Sequence, residues 1–127
     1  MAKTRTHRLG DLQLKIMKVL WDREAASVSE VHDALRADRL AHTTVATMLR
    51  KMEARGLVRH HAEDRRFIYR AAVSAEQVTR GMSHDMVDRL FEGSLADLVS
   101  HLLETREVSR DELAQLEQLI ARRKKRL

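Results

Sequence analysis

The stretch "AHTTVATMLRKMEARGLV", residues 41–58, decides how the chain is read. At about 100° per residue, Val45, Met48, Leu49 and Met52 fall into one apolar helical stripe. Thr43, Thr47 and Arg50 point the other way, with Thr44 and Lys51 on a flank. Threonine is a mediocre helix former, because its branched Cβ loses rotamer freedom. Three of them in the first turns call for a reason beyond helix formation. Gly56 supplies the left-handed residue that closes the helix.

Upstream, "LGDLQLKIMKVLWDRE" (9–24) puts Leu9, Leu12, Ile16, Val19 and Leu20 on one face at spacings of three and four. "SVSE" (27–30) is a capping box that opens a short helix through Val28, Val31 and Leu35 to about Ala37. Downstream the period changes to two. "LVRHHA" (57–62) places Val58, His60 and Ala62 on one side, and "RFIYRAA" (66–72) does so with Phe67, Tyr69 and Ala71. The polar "EDRR" (63–66) is a hairpin turn without glycine, and the hairpin carries Arg59, Arg65, Arg66 and Arg70. After Ser74 the helical period returns, over 74–93 and again over "SLADLVSHLLE" (94–104). "SRDE" (109–112) caps a last helix that ends in "RRKKR" (122–126), cations that suit a helix C-terminus. The expected fold is mainly α with a small β-hairpin wing.

Composition narrows the function. The 127 residues are 43% hydrophobic and 34% charged, which suits a globular chain of one or two small domains. Proline and cysteine are absent, so no disulfide or thiolate metal site can form. No apolar run approaches the ~20 residues of a membrane span, and no apolar segment of a signal peptide follows the basic start, so a cytoplasmic protein is expected. Charge is unevenly placed. Residues 1–73 hold 15 Lys/Arg against 9 Asp/Glu, whereas residues 74–121 hold 4 against 10. A basic front and an acidic back predict different partners for the two halves. His60 and His61 are strand neighbours facing opposite sides and cannot readily chelate one metal. Neither a nucleophile–base pair nor a phosphate-binding glycine loop occurs, so neither an enzyme nor a cofactor is expected.

Three helices followed by a basic ribbon is the order of a winged helix-turn-helix, whose third helix enters the major groove. Short side chains near the start of that helix let its backbone approach. A threonine hydroxyl can meet a phosphate or base edge, and its methyl can touch thymine. Thr43, Thr44 and Thr47 are therefore expected at bases or adjacent phosphates, with His42 at the helix N-terminus. Arg50, Lys51, Arg65 and Arg66 are expected at phosphates of double-stranded DNA. The domains expected are a winged-helix domain at 1–73 and a three-helix dimerisation region at 74–127. In the latter, Phe91, Leu95, Leu98, Val99, Leu102 and Leu103 are too apolar for a short helix to bury alone, and a homodimer is expected.

The motifs "LGDLQLKIMKVLWD", "SVSEVHDAL", "HTTVATMLRKMEARGLV" and "RRFIYRA" resemble the BlaI/MecI penicillinase-repressor family, which includes the CopY copper repressors. The resemblance spans essentially the whole chain and implies a homodimeric repressor on a palindromic operator. It places Thr43, Thr44 and Thr47 at the family's recognition positions. Ala46 replaces a long basic side chain found in some members. The copper repressors bind metal through C-terminal cysteines, which this chain lacks. In antibiotic-responsive members a membrane sensor with a protease domain leads to repressor cleavage at an Asn-Phe bond. The matching bond here is His101-Leu102, and loss of both residue types implies a differently tuned protease. A MarR-like ligand-responsive regulator, disfavoured by the roughly ten residues ahead of Gly10, and a winged-helix protein-interaction module are the competing readings.

Overall fold

The computed structural model describes residues 8–127 and divides them into two compact units, one up to Asp85 and one from Met86. The division falls inside a helix, later in the chain than the 73/74 boundary expected from the change of period.

The first unit opens with α1 (Asp11–Arg23), a two-residue strand β1 (Ala26–Ser27) and α2 (Val28–Ala34). A single 3₁₀ turn (Arg36–Asp38) leads to α3 (His42–Ala54). Strands β2 (Val58–Glu63) and β3 (Arg66–Ala71) follow, then α4 (Ala75–Leu90), whose last residues belong to the second unit. The core is aliphatic. Ile16, Met17, Leu20, Val31, Val45, Leu49, Met52 and Val58 are fully buried, with Leu57 and Tyr69 nearly so. Burying each such side chain contributes about 1.5–3 kcal/mol. Trp21 ties α1 to the approach of α4, its indole N–H donating to the Val73 carbonyl at 2.9 Å.

Two details lie beyond what periodicity suggested. The second helix stops at Ala34 rather than about Ala37, because the chain tightens into the 3₁₀ turn. The wing also gains a third strand, in the antiparallel order β1-β3-β2, with Ala26 opposite Tyr69 and Ser27 opposite Ile68. Two residues are too few to show alternation.

The hairpin turn is narrower than "EDRR". Glu63 and Arg66 pair across the strands, leaving only Asp64 and Arg65 as the loop. Both have positive φ, 48° and 65°, as a two-residue type I′ turn requires. At C-termini the glycines act as expected: Gly56 has φ 78° after α3, and Gly93 φ 81° after α4.

The second unit comprises the end of α4, α5 (Leu95–Thr105) and α6 (Arg110–Lys125). Ser94 and Ser109 cap the last two helices, accepting from the amides of Asp97 and Glu112. No residue of α5 or α6 is buried.

Candidate nucleic-acid interface

The apolar stripe of α3 sinks into the core through Val45, Leu49 and Met52. That anchoring fixes which side chains face out. His42, Thr43, Thr44, Arg50 and Lys51 are exposed and Thr47 is half-exposed. Thr43, Thr44, Thr47, Met48 and Lys51 line one open hollow on the helix surface. Arg50 donates to the Thr47 hydroxyl at 3.3 Å, so the two sit side by side. Ala41, which has no side-chain acceptor, occupies the N-cap position. The amides of His42 and Thr43 are therefore left for water or an external acceptor, while the Thr44 amide donates to the Ala41 carbonyl at 3.0 Å.

Neighbouring side chains fix the helix in place. Arg55 donates to Gln13 at 3.1 Å and to the Arg8 carbonyl at 2.7 Å, and Gln13 also reaches the Met48 sulfur. His32 bonds the Leu40 carbonyl at 2.8 Å through Nε2, holding the segment before α3. His42 lies against this histidine, edge to face, with its Nε2 3.3 Å from the Ser29 hydroxyl. These tethers join residues far apart in the chain, and periodicity carries no signal for them.

On the wing, strand alternation separates two faces. His60 meets α3 through a hydrogen bond to Glu53, and its ring packs at a tilt against those of Phe67 and Tyr69. Burial pushes the Tyr69 phenol up; nearby Glu53 adds to this and Arg50 opposes it. Arg59, Arg66 and Arg70 lie on the opposite face, with Arg59 directly across from Arg70. Like charges paired in this way are unfavourable unless an anion intervenes. The fold thus brings Thr43, Thr47 and Arg50 together on α3 and puts Arg65 at the hairpin tip. Arg66 stands on the ribbon face away from His60. It is close enough to help hold the Glu30 carboxyl below its usual range, after the dominant hydrogen bonds from Ser27.

In the second unit, Leu95, Val99, Leu102 and Leu103 are exposed, while Phe91 and Leu98 are half-covered. Met86, Leu90, Leu113, Leu119 and Ile120 are exposed as well. Val99, Leu102, Leu103, Val108 and Leu116 line an apolar groove. His101 and Leu102 lie inside α5, where the Thr105 hydroxyl donates to the His101 carbonyl at 2.8 Å. No group of metal-ligating side chains occurs among the described residues, and no helix there is long and apolar enough to cross a membrane.

Known proteins match along nearly the whole chain. A family described as "Penicillinase repressor" matches residues 9–122. Transcriptional regulator BlaI of Mycobacterium tuberculosis is 36% identical, over 90% of this chain and 83% of its own length. Penicillinase repressor of Bacillus licheniformis is 28% identical, over 94% of both chains. Among solved structures, a mutant of MarR from E. coli superposes with a TM-score of 0.52 at 16% identity, covering 90% of this chain and 76% of that one. The same mutant complexed with operator DNA gives a TM-score of 0.51 at 16% identity, over 90% and 74%. At that identity the likeness concerns the winged-helix fold alone.

Proposed function

The chain belongs to the penicillinase-repressor family, whose members are transcriptional repressors and not enzymes, and we propose that it acts as a homodimer on a pseudo-palindromic duplex operator. The observation that carries this reading is the outward-facing line of exposed Thr43, half-exposed Thr47 and exposed Arg50 on a helix whose opposite side is locked into the core. Thr43, Thr44 and Thr47 read base edges or adjacent phosphates, with His42 at the helix start. Arg50, Lys51, Arg65 and Arg66 hold phosphates. The DNA-binding domain in this reading is 1–73.

Residues 74–127 make the dimer through Phe91, Leu95, Leu98, Val99, Leu102 and Leu103. Support comes from a second unit with exposed leucines on both α5 and α6, an arrangement a lone helical hairpin in water does not favour. Repression is relieved when a partner protease cuts between His101 and Leu102. A cut there removes Leu102 and Leu103 from the dimer contact and costs the advantage of two linked half-sites. Because the bond lies within a helical turn, cleavage also requires that α5 open locally.

Salt dependence tests the DNA reading against a protein-interaction module. Affinity for duplex DNA should fall steeply with salt, log K dropping about 0.9 per phosphate neutralised for each unit of log salt. Absent binding, or binding indifferent to salt, contradicts it.

A further inference from the structure

The cation run Arg122–Arg126 has no role in the reading above. The family match ends at Arg122, so the rest of the run lies outside the shared part of the chain. Resting on the assignment of the chain as a DNA-binding protein, we propose that the last turns of α6 form a second, sequence-independent DNA-backbone contact.

All five residues are exposed, and none makes an ion pair among the described residues. The turn before them, Gln118–Ala121, holds no acid, so no carboxylate stands three or four positions upstream. The run exceeds what the helix end requires, since its dipole is equivalent to about half a charge. Like charges at these spacings repel one another, a cost that an external polyanion removes.

Placement decides the kind of partner. At about 100° per residue, five consecutive positions surround the helix axis. Arg123 continues the line of Leu119 and Ile120, and Lys124 stands one turn beyond Ile120. The apolar stripe of α6 therefore ends at Ile120 and gives way to charge on every side. A single complementary protein face would engage one side of such a helix. The field of a polyelectrolyte reaches about 10 Å at 0.1 M salt, so it also attracts cations beyond the contacted side, and each phosphate neutralised releases counterions.

The test replaces all five residues by glutamine, which keeps helix propensity and removes charge. A second variant exchanges Arg122, Arg123 and Arg126 for lysine. Each is measured on a mixed-sequence duplex of about 60 base pairs between about 50 and 200 mM salt. With two phosphates lost, the wild-type advantage over the glutamine variant should be about tenfold larger at the low end of that range than at the high end. The lysine variant should behave as wild type. Equal salt slopes for wild type and the glutamine variant overturn the proposal. So does a changed sedimentation of that variant, which would assign the run to assembly, or a tail-dependent loss of binding to phosphatidylglycerol vesicles without a loss on DNA. Lys51→Ala combined with Arg65→Ala separates the two ideas. If that pair lowers the salt slope while the tail variant leaves it unchanged, the DNA reading stands and the tail contact falls. If the wild type ignores the duplex at low salt, the DNA reading itself fails.

Discussion

At Thr47 a hydroxyl and a methyl share one half-exposed position beside Arg50. Thr47→Ala removes the hydroxyl and keeps a good helix former. The ratio of operator to nonspecific affinity should drop by about 1–3 kcal/mol equivalent while nonspecific affinity holds; titration of both duplexes checks it, and an unchanged ratio removes Thr47 from the groove. Arg65 carries a conflict between fold and function. Its φ of 65° costs a non-glycine residue about 1 kcal/mol, yet the hairpin tip is where a cation reaches a backbone. Arg65→Gly should raise stability by up to about 1 kcal/mol in urea unfolding while lowering the salt slope of DNA binding. A salt slope left unchanged by the substitution removes the tip from the phosphate contacts. The exposed threonines and the core residues Val45, Leu49 and Met52 were legible from the helical period alone. Met17, fully buried on α1, was not, since it falls between the positions that spacing selects. The wing arginines show the same limit. The hairpin was legible, but which arginines share a face depends on a register that only the narrow Asp64–Arg65 turn sets.

Local chemistry carried most of the elements. Ser27 and Glu30 form the reciprocal cap read in "SVSE", the Glu30 amide donating to Ser27 Oγ at 3.2 Å and the Ser27 amide to Glu30 at 2.9 Å. Ser27→Ala should cost about 1 kcal/mol. The bonds from Ser27 hold the Glu30 carboxyl below its ordinary value. A carboxylate depressed in the fold contributes stability above its unfolded pKa and loses it as pH falls through the folded value. Urea unfolding of wild type and Glu30→Gln should therefore differ at neutral pH and converge in acid. A gap that stays constant down to about pH 3 rules out this linkage. What local chemistry did not carry was β1, which exists because β3 offers a free edge to a segment with no strand signal of its own.

Over the whole molecule, a buried core in the first unit contrasts with a second unit in which no residue of α5 or α6 is buried. The uneven charge and the surplus of leucines made that contrast legible in the sequence. The compact boundary inside α4 was not, because an uninterrupted helix shows no break in period. Sedimentation at micromolar concentration should give twice the chain mass, and Leu102→Asp should shift it toward the monomer; an unchanged mass for that variant excludes Leu102 from the contact. The central claim, that two copies of α3 read two related half-sites, is tested most directly by selecting bound sequences from a random duplex library. The account predicts enrichment of an inverted repeat with half-site centres about 10 base pairs apart or a multiple of that, lost with Thr47→Ala. Enrichment of a single unrepeated element, or no enrichment above the nonspecific background, would contradict it.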